Sequence, residues 1–216
     1  VATKVKPAKN RLSKNKQKVC MKKTVISVTT KTGDGGVSGL ANGQRLSKAD
    51  LHFEVVGTLD ELNSWLGLVV VKLNQLGDVA SWQTHATYLQ EVQDTLFYIG
   101  AEVAQSPKAK LKHEALKKLE IAAENLQAQL ADDWHTRFVL PGGTEIGAWL
   151  DIARTVCRRA ERGMVQLQAV QSEASSDVTQ NPILVKYINR LSDYLYVLRV
   201  FMNDQLQYEE REFVAK

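Results

Sequence analysis

Leu150-Asp-Ile-Ala-Arg-Thr-Val-Cys-Arg-Arg-Ala-Glu-Arg162 is the stretch whose spacing decides the fold. With its flanks it places apolar residues at Ile146, Leu150, Ala153, Cys157, Ala160, Met164 and Leu167. Steps of four and three predict a helix with one buried face. Arg154, Arg158 and Arg162 fall at i, i+4 and i+8, on one line beside that face. Like charges at this spacing cost a helix about 0.2–0.5 kcal/mol per pair. The pattern leaves two readings open: a solvated charged face, or a line along which a polyanion lies. Arg159 and Glu161 add charge to the same turns.

Working outward, the same periodicity recurs. Ser47-Lys-Ala-Asp50 resembles a capping box that opens a helix carrying Leu51, Val55, Leu59, Leu62, Leu66, Val69 and Leu73. Leu89, Val92, Leu96, Ile99 and Val103 predict a second helix, starting near Ser81 and broken by Ser106-Pro107. A third carries Leu111, Ala115, Leu119, Ala122, Leu126 and Leu130 and ends at Asp132-Asp133. Trp134 to Gly143 reads as a connector. Thr144 is then the expected N-cap of the Arg-lined fourth helix, with Glu145 in its first turn. A polar loop from Ser172 to Asp177 leads to Asn181-Pro182, a cap followed by Pro at the first helical position. The fifth helix carries Leu184, Ile188, Leu191, Leu195, Leu198 and Met202. Five amphipathic helices with short links predict an all-α, five-helix bundle. Thr24 to Thr30 is β-prone, but a lone strand has no partner, so it reads as an extended lead-in.

Composition bounds the rest. The 216 residues, 44% hydrophobic and 24% charged, suit one globular domain over residues 24–210. No run approaches the roughly 18 apolar residues of a membrane span, so no membrane partner is expected. Residues 1–23 hold eight Lys, one Arg and no acid. Of the 28 basic and 24 acidic side chains, the remaining sequence therefore holds 19 and 24, a net −5. An acidic body argues against a broad nucleic-acid surface. The basic leader reads as unstructured or artificial, with a nucleic-acid or anionic-surface contact, or a poor transit peptide, as alternatives. Met21 would make a natural start. The two cysteines, Cys20 in the leader and Cys157 on the apolar stripe, suit a reducing, cytoplasmic setting.

Thr30-Lys-Thr-Gly-Asp-Gly-Gly-Val-Ser-Gly-Leu-Ala-Asn-Gly43 carries five glycines in fourteen residues. Such a segment can turn successive N–H groups into an anion-binding concavity, with Thr30, Thr32 and Ser38 hydroxyls and the Lys31 and Lys48 charges beside it. It lacks the spacing of a P-loop. A flexible surface turn is the other reading.

Four separated segments together resemble one family, the PduO-type, trimeric ATP:cob(I)alamin adenosyltransferases. Thr30-Lys-Thr-Gly-Asp-Gly-Gly-Val-Ser38 is similar to its N-terminal signature. Gly57, Asp60-Glu-Leu-Asn63 resembles its G-x-x-D-E-L-N element. Phe138-Val-Leu-Pro-Gly-Gly143 with Ala153-Arg-Thr155 and Arg158-Arg-Ala-Glu-Arg162 is similar to its central run, and Asn189-Arg-Leu-Ser-Asp-Tyr-Leu195 to its last motif. The resemblance runs from about residue 28 to about 200.

It implies a homotrimer of five-helix bundles with ferritin-like packing and active sites between subunits. The implied reaction transfers the 5′-deoxyadenosyl group of ATP to the cobalt of cob(I)alamin and releases triphosphate. ATP would be held by Thr30, Lys31, Thr32, Gly33, Asp34, Gly36, Ser38, Lys48, Arg158, Arg159, Glu161, Arg162 and Asn189. Magnesium would ride on the phosphates rather than on protein side chains. Arg158 would serve the leaving group, Asp60 and Arg154 would pair across the subunit interface, and Phe138 would lie against the lower face of cobalamin. The corrinoid is itself the nucleophile, so no Ser, Cys or His nucleophile is required. A cobalamin-reducing flavoprotein and an adenosylcobalamin-dependent acceptor enzyme are the implied partners. A non-catalytic ATP- and cobalamin-binding carrier or chaperone is the alternative. Two residues depart from the family pattern: Asp151 where His is common, positioned to compete for Arg154, and His52 where Arg is frequent.

Overall fold

The protein is described by a computed structural model over residues 29–77, 80–136, 138–174 and 181–214. It divides into two compact units, Val1–Lys31 and Thr32–Lys216. Of the first unit only residues 29–31 are described: Thr30 and Lys31 are exposed, and Lys31 has a φ of 58°. The expectations for the basic leader, Cys20, Met21 and most of the 24–30 run lie outside the described residues. The second unit carries β1 (Val37–Gly39), β2 (Arg45–Ser47), α1 (Leu51–Gln75), α2 (Ala80–Val103), α3 (His113–Gln127), α4 (Glu145–Ala174) and α5 (Ile183–Gln205).

The main helix contacts run α2 on α1, α1 on α4, α4 on α5 and α5 on α3. The Arg-lined helix α4 is thus the central strut. All seven residues of its predicted stripe are buried, from Ile146 to Leu167. The predicted stripes of α2 and α5 are buried throughout as well. Burial of this kind is worth about 1.5–3 kcal/mol for each large aliphatic side chain, and it holds the helices at fixed register. Among the described residues, no helix is long and apolar enough to cross a membrane.

Four expectations need correction. First, beside the five expected helices, which make the chain mostly helical, the glycine-rich segment is neither a bare turn nor a loop but an antiparallel hairpin, β1 on β2, pairing Val37 with Ser47, Ser38 with Leu46 and Gly39 with Arg45. Leu40 is buried at its turn, and Ala41 N–H donates to the Ala104 carbonyl at 2.8 Å, which docks the turn on the end of α2. Second, Ser47 does not cap α1, because its backbone belongs to the ladder. Asp50 is the cap, its carboxylate accepting from His52 N–H at 2.9 Å. That bond holds the Asp50 carboxyl below its ordinary pKa. Third, α3 begins only at His113. Leu111 is buried ahead of it, with its N–H bonded to Glu102 Oε2 at 2.6 Å and its carbonyl to Asn181 Nδ2 at 2.9 Å. Fourth, Ser172 belongs to α4, which continues to Ala174.

Of the other two caps, Thr144 stands as expected, while at α5 the cap position falls on Pro182, one residue later than expected. Thr144 Oγ1 accepts from Gly147 N–H at 3.1 Å, and Asn181 Oδ1 accepts from Ile183 N–H at 3.1 Å.

Candidate active site

The hairpin makes one wall. Gly36 N–H donates to the Gly33 carbonyl at 3.2 Å, and Lys48 N–H to the Gly36 carbonyl at 2.8 Å. This closes the loop so that the Lys48 side chain lies over Gly33. A Cβ on Gly33 would approach Lys48 Nζ to 3.0 Å, so glycine is what lets the ammonium cover the loop. Arg45 Nη2 crosses the hairpin to the carbonyls of Thr32 at 2.8 Å and Val37 at 3.3 Å. Thr32, Asp34 and Gly36 are exposed, and Ser38 is half-buried in the ladder.

Helix α4 makes the second wall, and its arginines separate into two sets. Arg154 is half-buried and bonded to Asp151 Oδ1 at 3.3 Å, so within one chain the departure at Asp151 takes the guanidinium. Arg159 is paired with Glu61 of α1. Arg158 and Arg162 are exposed and have no hydrogen-bonding or ionic partner among the described residues. Glu161 and Asn189 are bonded to each other, Nδ2 to Oε1 at 2.7 Å, and so tie α4 to α5 beside the bare pair.

α1 runs antiparallel to α4: Glu61 meets Arg159, Val55 touches Gly163, and His52 meets Gln171. Lys48 therefore belongs to the Gln171 end. Gln171 lies nine residues beyond Arg162, roughly 13 Å along the helix at 1.5 Å per residue. Within one chain the lysine-covered loop and the bare arginines therefore lie at separate levels along α4.

Asp60 is exposed on α1, and no side chain among the described residues pairs with its carboxylate. It edges an apolar groove of about 490 Å³ between α1 and α2, lined also by Phe53, Val56, Gly57 and Phe97. Asn63 faces the same groove and is 7% exposed, with its Oδ1 buried and without a hydrogen-bond partner among the described residues.

Phe138 is 83% exposed, on a connector held firmly behind it. Its carbonyl accepts from Phe213 N–H at 2.7 Å, and Leu140 N–H donates to the Arg211 carbonyl at 2.8 Å, so the chain after α5 pairs with the connector. Gly142 and Gly143 have φ of 123° and 104°, conformations L side chains rarely adopt. A Cβ on Gly143 would also collide with the Asn203 amide. The sequence reading missed Phe213, the α1–α2 groove and a buried cluster of Asp151, Arg199, Asn203 and Glu210 behind the connector. The available signal for the cluster was Arg199 itself, a charge one position beyond Leu198 on a buried helix.

Among the described residues, no group of three or more His, Cys, Asp or Glu side chains is placed to hold a metal ion. Cys157 is fully buried, donates to the Ile188 carbonyl, and has its thiol pKa pushed well up by desolvation. It is therefore inert as a nucleophile.

Exposed arginines on α4, unpaired among the described residues, and a glycine loop covered by Lys48 mark a five-helix bundle with cations presented on two of its elements. The cobalamin adenosyltransferase family model matches residues 28–202, and the chain belongs to that family. It is 36% identical over 191 residues to the cobalamin adenosyltransferase of Cupriavidus metallidurans, covering 86% of this chain and 96% of that one. It is 38% identical over 179 residues to the corrinoid adenosyltransferase PduO of Salmonella typhimurium, covering 80% of this chain but about half, 48%, of that protein's length. Among solved structures it resembles a phenylalanine-to-alanine variant of the PduO-type ATP:corrinoid adenosyltransferase of Lactobacillus reuteri, complexed with cobalamin and ATP. The TM-score is 0.74 and the identity 29%, over 88% of this chain and all of that one.

Proposed function

We propose that the protein transfers the 5′-deoxyadenosyl group of ATP to the cobalt of cob(I)alamin. The cobalt electron pair forms the bond to C5′, the C5′–oxygen bond breaks, and triphosphate leaves with the electron pair of that broken bond. The products are adenosylcobalamin and triphosphate. The observation that carries this reading is the pair Arg158 and Arg162, exposed and without partners among the described residues while Arg154 and Arg159 beside them are neutralised. A leaving group of such charge is stabilised by fixed cations and oriented N–H groups, which need no rearrangement as it departs.

The separation of the loop from the bare arginines supports a trimer in which the loop of one subunit faces α4 of the next, so that Thr32, Gly33, Asp34, Gly36, Ser38 and Lys48 meet Arg158 and Arg162 across the boundary. Glu161 and Asn189 frame the nucleotide there. The unpaired Asp60 and its apolar groove suit the same boundary, with the partner's Arg154 as the counter-ion once it leaves Asp151. Phe138 presents an exposed ring to the lower corrinoid face, where displacing the axial ligand makes Co(II) easier to reduce. Magnesium belongs to this proposal as a companion of the triphosphate, whose oxygens are its natural ligands. A reducing flavoprotein, an adenosylcobalamin-dependent acceptor and a cytoplasmic setting complete it.

The test mixes chemically reduced cobalamin with ATP and magnesium and follows the corrinoid spectrum. Conversion to adenosylcobalamin is expected. Binding of both substrates without conversion would establish the carrier instead.

A further inference from the structure

We propose that Arg199 is a positioning residue for the Phe138 connector, acting with Asp151, Glu210 and Asn203; the catalytic consequence rests on the adenosyl-transfer reading. Arg199 is 1% exposed. Its Nε donates to Asp151 Oδ2 at 3.1 Å and its Nη1 to Glu210 Oε1 at 2.5 Å. Its Nη2 donates to the carbonyls of Leu140 at 2.9 Å and Gly142 at 3.2 Å. Four acceptors on three chain segments thus converge on one planar guanidinium, which has five N–H donors in a fixed fork.

The cluster closes on itself. Asp151 Oδ2 also accepts from Gly142 N–H at 2.9 Å, so the peptide of Gly142 is gripped at both ends. Asn203 Nδ2 donates to the Gly142 carbonyl at 3.1 Å and to Glu210 Oε1 at 3.0 Å, while its Oδ1 accepts from Thr144 N–H and Oγ1. In the single chain Arg154 on Asp151 Oδ1 brings the charges to two positive and two negative, and when Arg154 turns to the partner's Asp60 the bonds of Arg199 to both carboxylates remain. A buried charge is tolerable only when paired and hydrogen-bonded; Glu210 Oε2 has no partner among the described residues, but the bonds through Glu210 Oε1, Asp151 and Asn203 converge with Arg199 on the backbone they grip. The gripped backbone is Leu140 to Gly142, two to four residues after Phe138. An exposed ring on a connector has no packing of its own to hold it. Its place is set from behind, by Arg199.

The test uses Arg199→Lys and, because a buried variant can fail to fold, Glu210→Ala at the more exposed rim, with Glu210→Gln as the conservative variant that keeps an acceptor. The first readout is amide exchange of Leu140 and Gly142. Exchange about tenfold faster there, with α1 and α4 protection unchanged, is expected for Arg199→Lys and Glu210→Ala, and recovery for Glu210→Gln. The second is turnover from cob(II)alamin with a reductant against turnover from pre-reduced cob(I)alamin. A roughly tenfold loss confined to the cob(II)alamin assay is expected, matching Phe138→Ala in kind. Unchanged exchange in the connector, or equal losses in both assays, overturns the proposal. Absence of adenosylation by the unaltered protein overturns the adenosyl-transfer reading instead, and the exchange measurement still decides whether Arg199 anchors the connector.

Discussion

Arg199 and Arg158 are the same side chain in opposite settings. Arg199 is buried and spends four of its donors on protein acceptors. Arg158 is exposed and has no partner among the described residues. Both belong to the α4–α5 half of the bundle. Removing a partner from a buried, satisfied cluster costs folding free energy, because the groups left behind cannot recover water. Removing an exposed, unsatisfied cation costs the fold nearly nothing, so any loss it produces must come from what binds there. The contrast separates residues that hold the site from residues that use it.

The largest expected effect tests the bare side of that contrast. Arg158→Ala should lower turnover from cob(I)alamin by roughly 100-fold or more, the scale for losing one preorganised donor to a developing anion. Its thermal midpoint should match the unaltered protein, since nothing among the described residues leans on the guanidinium. Activity within a few-fold of normal would remove Arg158 from the phosphate site, and a large fall in melting temperature would show that it was never bare.

What the sequence disclosed follows the same division. The buried faces of the helices were legible because helical packing repeats at a fixed period, and Ile146 to Leu167 is buried at every predicted position. Arg158 and Arg162 were legible as a line for the same reason. The hairpin was not, because Val37–Gly39 and Arg45–Ser47 are three-residue strands whose pairing leaves no periodic trace in a glycine-rich run. The grip on the connector was also hidden: Arg199 lies 48 positions from Asp151, 59 from Leu140 and 11 from Glu210. Long-range polar contacts depend on the folded geometry rather than on spacing. The family motifs marked Phe138 and the glycines beside it, yet not the residues that hold them.

A smaller effect is expected on the satisfied side. Thr144 Oγ1 both caps Gly147 N–H and donates to Asn203 Oδ1 at 2.7 Å. Thr144→Ala should cost about 1–2 kcal/mol of stability, the upper part of the range for losing a helix cap. Chemical denaturation would read it as a lower midpoint at unchanged slope. Turnover from pre-reduced cob(I)alamin at saturating substrate should stay within about twofold, because the side chain reaches no bare cation. A loss of turnover exceeding the loss of stability would make the cap part of the site.

Arg159 sits between the two settings and gives the finest cut. It is adjacent to Arg158 and belongs to the same motif, yet it is paired with Glu61, with about half of each side chain exposed. An exposed pair of this kind contributes about 0.2–1 kcal/mol and weakens with salt. Arg159→Ala should therefore lower stability by no more than that, and by less in concentrated salt. Its effect on the apparent affinity for ATP should be several-fold smaller than that of Arg158→Ala, since a cation already neutralised has less field to offer a phosphate. If the two variants lose ATP equally, the pair with Glu61 must open when the nucleotide arrives. Arg159 would then count among the bare cations, and partnership in the unliganded chain would no longer sort the arginines that hold from the arginines that bind.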